Sequence, residues 1–272
     1  MGYGNIKKFS YEMPSALKEE LIRKDGYLYI PDSYPGNVDK MAYFFLGAGT
    51  DISSFVCEGK AGDFFFKKVV DYAVDKNQIP KDIAICFLSH CEWDTSEHSC
   101  SKEDEIRMGR CFIKNLEEYV LPKVENEILP KILPEFEIKR ENRVFTGFSF
   151  GGALLMEGLD KLDHLCRNFA ILSGYHLKKI EKPFKETREI LKEYGKALYN
   201  GKTFSDVLLI GITGVNDIAY EEMKSEFEIL SVLGILEKKN LIFMEVSQGM
   251  HSYFEAAYYF VMALEIIFNG MR

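Results

Sequence analysis

Short runs of apolar residues recur along the chain and alternate with longer segments in which apolar positions repeat every three or four residues. Continuous apolar runs of this length are typical of strands that are buried on both faces of a sheet. The runs predict strands at Lys7–Tyr11, Tyr27–Pro31, Met41–Leu46, Asp82–Leu88, Arg143–Thr146, Phe169–Leu172, Val207–Ile212 and Leu241–Val246.

The segments with helical spacing lie between these strands, and Pro183 suits the first turn of one of them. They predict helices at Asp63–Lys76, Lys102–Ile128, Gly151–Leu162, Pro183–Leu198, Tyr220–Lys238 and Tyr253–Phe268. Strands that alternate with helices indicate an α/β fold with a mostly parallel central sheet of about eight strands and helices on both faces. The first strands look antiparallel. No repeat, low-complexity segment or linker divides the chain, so residues 1–272 are expected to form a single domain.

Composition narrows the classes of partner. Apolar residues make up 47% of the chain and charged residues 28%, which is ordinary for a globular protein. The formal net charge of −8 argues against nucleic acid as a partner. No apolar run is long enough to span a bilayer, and the first residues lack a signal-peptide pattern. The chain as it stands is expected to be cytoplasmic, and secreted if a leader has been removed.

One segment carries a specific chemical signal. Residues 143–156 read as a buried strand, then Gly147-Phe-Ser-Phe-Gly151, then an apolar helix. A G-x-S-x-G string between a strand and a helix predicts a nucleophile elbow, a tight turn that exposes a serine hydroxyl above the carboxyl end of a sheet. Ser149 is therefore the predicted nucleophile.

A serine nucleophile needs a base, which in sheets with this elbow follows later in the chain. Among the histidines, only His251 follows a late strand through a short loop, Ser247–Met250. That position favours His251 as the base. The alternative is a surface histidine that caps the helix beginning at Tyr253.

The base needs an orienting carboxylate, which should follow the preceding strand. Asp217 follows Val207–Ile212 through a short loop, whereas Asp206 precedes that strand and belongs to the opposite edge. Asp217 is the predicted carboxylate. Its alternative role is to cap the helix beginning at Tyr220, and one side chain is not expected to do both.

The oxyanion of an acyl-transfer reaction needs two fixed N–H donors. The amide of Phe150 is one candidate because it directly follows the nucleophile at a helix N-terminus. The amide of Ala48 is the second, since Gly47-Ala-Gly-Thr50 follows the strand Met41–Leu46. The alternative for this loop is a tight turn without a binding role.

The loop after Asp82–Leu88 holds several potential metal ligands between His90 and Cys100. Their spacing matches no known zinc pattern, so no metal is predicted. The loop is expected to overhang the active site. Trp93 could then stack on a sugar or aromatic ring, or it could pack on its own loop.

These residues together resemble a known family. Gly147–Gly152, Leu172-Ser-Gly-Tyr175, Thr213–Tyr220 and Gly249-Met-His251 look like segments of carbohydrate esterase family one, from about Lys7 to the C-terminus. That family comprises feruloyl and acetylxylan esterases of the α/β-hydrolase fold. The closest likeness is to feruloyl esterase domains attached to bacterial xylanases.

The resemblance implies a Ser149, His251 and Asp217 triad and places Tyr175 near the acyl pocket. One departure is the oxyanion loop, where Leu46-Gly-Ala-Gly49 replaces the family's usual His-Gly-Gly-Gly. The backbone N–H of Ala48 can still act as a donor after this change. The polar contact that the family's histidine makes is lost, because Leu46 stands in its place.

The expected function is that of a serine esterase that cleaves feruloyl, other hydroxycinnamoyl or acetyl esters from cell-wall carbohydrate such as xylan. Its partner would be a small-molecule or oligosaccharide ester, and no cofactor is expected. An intracellular esterase or thioesterase of the same superfamily, acting for example on a siderophore ester, is an alternative. So is a non-catalytic carbohydrate-binding relative. The acyl group, the alcohol, acyl transfer as against hydrolysis, and the oligomeric state are left open.

Overall fold

A computed structural model describes residues 4–32, 38–48, 52, 56, 65–92, 101–133, 137–177 and 203–270. Its centre is an eight-stranded sheet in the order β1-β2-β4-β3-β5-β6-β7-β8. The strands are β1 (Asn5–Pro14), β2 (Leu21–Ile30), β3 (Lys40–Phe45), β4 (Ile83–Leu88), β5 (Arg143–Phe148), β6 (Asn168–Leu172), β7 (Leu208–Gly214) and β8 (Leu241–Val246).

The sheet has an antiparallel beginning and a parallel remainder, as the sequence predicts. Strand β1 pairs antiparallel with β2, and β2 pairs antiparallel with β4. Every further pair, from β4–β3 to β7–β8, is parallel. Parallel pairing brings the carboxyl ends of β3, β5, β6, β7 and β8 to one edge, where ligands bind in folds of this class.

Helices cover both faces of the sheet. Among the described residues, the longer helices are α1 (Phe65–Asp75), α2 (Lys102–Asn115), α3 (Phe150–Leu162), α4 (Tyr220–Leu233) and α5 (Tyr253–Asn269). Strand β3 shows how the faces divide, because Tyr43 packs in one core with side chains of α2, α3 and α4. Phe44, the next residue, packs in a second core with side chains of α1 and α5. The predicted α/β architecture is confirmed.

Two helices end four or five residues away from their predicted ends. The helix that begins at Lys102 has wider π-helical turns at Leu116–Val120 and Lys123–Ile128, and it continues beyond Ile128 with a last α-helical turn, Leu129–Ile132. Helix α4 stops at Leu233, five residues before the predicted end, because Gly234 adopts a positive φ of 64° and reverses the chain. The predicted helix Pro183–Leu198 lies outside the described residues.

Within the described part of the chain, every helix is too short or too polar to cross a membrane.

Candidate active site

Ser149 lies in the sharp turn between β5 and α3, in the middle of the sheet. Its φ of 54° and ψ of −118° match the first central position of a type II′ turn, which glycine normally occupies. A non-glycine residue held there carries strain of about 1–3 kcal/mol, which surrounding structure must offset. The Ser149 N–H donates to the Leu172 carbonyl at 2.9 Å, which anchors the turn to β6.

The two glycines of the G-x-S-x-G motif are required by backbone contacts. A Cβ on Gly147 would lie 2.4 Å from the backbone carbon of Gly151. A Cβ on Gly151 would lie 2.2 Å from the carbonyl oxygen of Phe45. These close approaches let α3 begin directly against the ends of β5 and β3, and they explain why the strand can turn so sharply into the helix.

The loops after β7 and β8 are held together beside this turn. The Asn216 N–H donates to the Gly249 carbonyl at 3.1 Å, and the Val215 N–H donates to the Val246 carbonyl at 3.1 Å. A Cβ on Gly214 would lie 2.1 Å from the backbone carbon of Gly249, so the loops pack backbone to backbone. This contact fixes Asp217 and His251 relative to each other.

A hydrogen-bonded chain joins the three side chains. The imidazole Nε2 of His251 lies 2.9 Å from Ser149 Oγ, and its Nδ1 lies 2.8 Å from Asp217 Oδ1. The Asp217 side chain is fully buried, whereas 22% of the His251 side chain is exposed. A buried carboxylate that orients an imidazole toward a hydroxyl is the arrangement by which a serine can pass its proton to a base.

The structure tests the two alternative roles, in which His251 would cap α5 and Asp217 would cap α4. Ser252, not His251, caps α5, since its hydroxyl accepts from the Glu255 N–H at 3.3 Å. Asp217 does not cap α4, because the N-cap is Ala219 and the helix has no side-chain capping hydrogen bond. Oδ1 of Asp217 accepts from the Ala219 N–H at 2.7 Å as well as from His251. A carboxylate oxygen has two lone pairs, so the Ala219 N–H and the imidazole can share it.

Phe148 is a site residue that the sequence reasoning missed. Its ring stacks on the His251 imidazole with centroids 4.8 Å apart and planes at 29°. It also contacts the Tyr253 ring at 5.1 Å. The stacking restricts rotation of the imidazole. Its position directly before Ser149, at the last residue of β5, is the signal that could have identified it.

The loop after β3 packs against the nucleophile. A Cβ on Gly47 would lie 3.2 Å from Ser149 Cβ and 2.8 Å from the Tyr253 hydroxyl oxygen. Burial raises the pKa of Tyr253. Ala48 follows Gly47 in a turn and is exposed, and Phe150 is the first residue of α3. Both predicted oxyanion donors therefore belong to segments that adjoin Ser149, and their role as donors stays a prediction.

Of the two predicted substrate-binding residues, the structure describes only Tyr175. Tyr175 is half-buried just beyond β6, and burial raises its pKa, with further contributions from the charges of Glu222, Glu226 and Asp217. Tyr175 lies three residues beyond the carboxyl end of β6, at the edge of the sheet to which Ser149 and Asp217 also belong. Trp93 lies outside the described residues.

The segment after β4 forms a buried polar cluster next to the elbow. His90 and Cys91 are 2% and 9% exposed, and the His90 ring lies 4.6 Å from the Phe150 ring. Burial alone would lower the pKa of His90, but its contacts with Cys91 and Glu105 outweigh burial and raise it. Burial would raise the pKa of Cys91, but the hydrogen bond to His90 contributes to a net lowering.

Comparison with known proteins gives similarity in structure without similarity in sequence. No protein-family model matches the chain, and no curated protein sequence matches it. A mutant of the feruloyl esterase module from Clostridium thermocellum, complexed with sinapinate, superposes with a TM-score of 0.73 and 18% identity. The match covers 99% of this chain and 90% of that one.

The chain has the α/β-hydrolase fold.

Two further structures of this fold are similar over nearly their whole lengths. A ferulic acid esterase from Anaeromyces mucronatus, in complex with ferulic acid, has a TM-score of 0.68 and 16% identity, covering 100% of this chain and 93% of that one. The S-formylglutathione hydrolase of Staphylococcus aureus has a TM-score of 0.57 and 12% identity, covering 97% of each chain. In α/β-hydrolases with a serine nucleophile the triad follows the chain order serine, acid, histidine, which is also the order of Ser149, Asp217 and His251.

Proposed function

We propose that this protein is a serine esterase in which Ser149 is the nucleophile, His251 the general base and Asp217 the orienting carboxylate. The observation that carries the proposal is the continuous hydrogen-bonded chain from Ser149 Oγ through the His251 ring to Asp217 Oδ1. This geometry occurs at a strained turn whose glycines have no space for a side chain.

In the proposed reaction, Ser149 Oγ attacks the ester carbonyl while His251 Nε2 takes the hydroxyl proton. Asp217 keeps the proton of Nδ1 in place and stabilises the imidazolium that forms. The N–H groups of Phe150 and Ala48 donate to the oxyanion of the tetrahedral intermediate. His251 then returns the proton to the leaving alcohol, which leaves an acyl-enzyme. Water, activated by the same imidazole, releases the acid and restores the serine.

For the substrate, we propose a hydroxycinnamoyl or acetyl ester on a cell-wall carbohydrate such as xylan. The support is the shared fold with two feruloyl esterases over almost the whole chain, together with the sequence segments that resemble that family. The half-buried Tyr175, just beyond the carboxyl end of β6, would offer an aromatic surface for a planar acyl group. The acidic net charge suits a neutral or weakly charged substrate better than a strongly anionic one.

The likeness to S-formylglutathione hydrolase favours a second candidate, hydrolysis of a small thioester. The same triad and oxyanion donors would serve, since only the leaving group differs. Its structural similarity is lower than that of the feruloyl esterases, and it is the second choice for that reason.

Two measurements test the proposal. Reaction with a fluorophosphonate probe should label the native protein at Ser149, whereas a carbohydrate-binding relative without activity would give no label. The value of kcat/KM should then be compared for methyl ferulate, p-nitrophenyl acetate, acetylated xylan and S-formylglutathione. A preference for methyl ferulate or acetylated xylan supports the carbohydrate esterase, and a preference for S-formylglutathione overturns it in favour of the thioesterase.

A further inference from the structure

The polar cluster behind the elbow brings together three side chains that the sequence spacing did not associate. His90 and Cys91 follow β4, while Glu105 comes from the first turn of α2. His90 Nε2 lies 3.6 Å from Cys91 Sγ and 3.4 Å from Glu105 Oε1. The three potential ligand atoms all lie within 4.8 Å of one another.

These separations agree with those between ligands of one zinc ion. Zinc binds nitrogen at about 2.0–2.1 Å, sulfur at about 2.3 Å and carboxylate oxygen at about 2.0–2.2 Å, in a tetrahedron. At tetrahedral angles, these bond lengths give a nitrogen-to-sulfur distance of about 3.6 Å and a nitrogen-to-oxygen distance of about 3.4 Å. The two distances from His90 already have these values. Only the sulfur and the carboxylate would need to approach each other, by at most roughly 1.3 Å.

The backbone around the three residues is fixed by other contacts. The Cys91 N–H donates to the Ser89 hydroxyl at 3.2 Å, which holds the turn after β4. The Ser101 hydroxyl caps α2 by accepting from the Asp104 N–H at 3.1 Å, which holds the turn that presents Glu105. Neighbouring Glu92 is engaged elsewhere, with the Ser15 hydroxyl and the Ala16 N–H. The cluster is therefore held in place by its surroundings.

We propose that His90 Nε2, Cys91 Sγ and Glu105 Oε1 form a binding site for zinc, with the fourth tetrahedral position left to water. A thiolate and an imidazole select a borderline-soft cation such as zinc over magnesium, which prefers oxygen ligands. The ion would lie one side chain away from the helix that follows the nucleophile, since the His90 ring packs on Phe150. The proposal concerns binding alone and does not rest on the esterase function.

Cobalt(II) titration of the full-length reduced protein, purified free of metal, tests the site. Cobalt occupies tetrahedral zinc sites, and a thiolate ligand gives it a charge-transfer absorption in the near ultraviolet. That absorption should appear in the native protein, and added Zn²⁺ should abolish it. Added Mg²⁺ should leave it unchanged. Displacement by Zn²⁺ also yields the zinc affinity.

Two variants test proposed ligands, and a third serves as the control. Cys91→Ser should lose the charge-transfer absorption and weaken zinc binding by at least about 100-fold, since losing a ligand costs no less than disturbing its supporting contacts. Glu105→Gln should keep the absorption and weaken zinc binding by at least about 10-fold. Cys111→Ser is the matched control, because Cys111 is a half-buried cysteine of α2 outside the proposed site. Its thiol donates a hydrogen bond to the Pro14 carbonyl. It should behave as the native protein.

Failure of the native, folded protein to give the charge-transfer absorption overturns the proposal. So does a Cys91→Ser variant that keeps both the absorption and the zinc affinity. If Cys91→Ser does not fold, as judged by circular dichroism, Glu105→Gln decides the matter. A zinc affinity for Glu105→Gln equal to that of the native protein then shows that this cluster is not the site.

Discussion

Strand β7 has an aspartate near each end, and the two aspartates have opposite surroundings. Asp206 precedes the strand, and its side chain is 59% exposed. Its Oδ2 lies 2.5 Å from Nη1 of Arg140. Asp217 follows the strand, is fully buried in its side chain and lies 2.8 Å from His251. The hydrogen bond from Arg140 lowers the pKa of Asp206. One end thus holds a solvated ion pair, and the other holds a buried carboxylate with an imidazole partner.

The partners of the two aspartates explain why we propose a catalytic role for Asp217 and not for Asp206. A guanidinium stays protonated throughout the ordinary pH range, so Arg140 cannot take a proton from a substrate, and it lowers the pKa of Asp206, which makes that carboxylate a weak base. An imidazole can exchange its proton near neutral pH. The Nε2 atom of His251 lies within hydrogen-bonding distance of the Ser149 hydroxyl. The same residue type therefore contributes to stability at one edge and, by our proposal, to chemistry at the other.

The largest effect is expected for Ser149→Ala. The variant should lose on the order of 10⁵ or more in kcat, because the triad acts as a unit, while the free energy of unfolding changes by less than about 1 kcal/mol. Steady-state kinetics on the preferred ester and urea unfolding provide the two measurements. Ser205→Ala, at the opposite edge of the sheet, is the control and should be fully active. If Ser149→Ala keeps a tenth of the native activity, Ser149 is not the nucleophile.

Exchanging each aspartate of β7 for asparagine tests the comparison directly. Asp217→Asn should lower kcat by about 10⁴, because an amide favours the wrong imidazole tautomer and cannot stabilise the imidazolium. Asp206→Asn should change kcat less than about twofold, since an exposed ion pair contributes little. Kinetics are to be compared after the two variants show matched melting curves. A crippled Asp206→Asn beside an active Asp217→Asn would refute the assignment of the two edges.

A pair of glycines in α3 tests whether the carboxyl edge depends on backbone contact. Gly151→Ala should destabilise the protein by at least about 2 kcal/mol, because the new Cβ meets the backbone carbonyl of Phe45. The new Cβ of Gly158→Ala, two turns later, meets side chains and no backbone, with Ile113 at 2.9 Å and Leu162 at 3.3 Å. The better helix propensity of alanine, worth about 1 kcal/mol, offsets those contacts. Equal unfolding free energies for the two variants would contradict the steric account of the elbow.

The smallest effect concerns how Asp206, at the edge formed by the amino ends of the parallel strands, makes stability depend on pH. The pKa of Asp206 is lowered in the folded state, so its ionised form stabilises the protein above its ordinary pKa of about 3.9. This contribution is lost as the pH falls through the lowered pKa. Asp206→Asn lacks it at every pH. The difference in unfolding free energy should be under about 1 kcal/mol at neutral pH and should vanish in acid. A difference that grows in acid would contradict this sign.

The sequence alone determined the order of strands and helices and the location of the proposed catalytic residues. Buried parallel strands are mostly apolar, so β3 to β7 are visible as runs, and β8 is visible as a half-buried apolar run. A residue in the short loop after such a run belongs to the carboxyl edge. That reasoning selected Asp217 over Asp206 and His251 over the earlier histidines. It rests only on chain order, which parallel pairing converts into proximity.

Contacts between distant segments were decided only by the tertiary structure. The stacking of Phe148 on His251, the shared Asp217 Oδ1 and the approach of Gly47 to Ser149 each depend on how loops pack at the edge. The cluster of His90, Cys91 and Glu105 is the clearest case. Sequence spacing gave no zinc pattern, because the third proposed ligand, Glu105, comes from the first turn of α2 and meets His90 only in the folded chain. Such packing is set by the whole core and has no local signature in the chain.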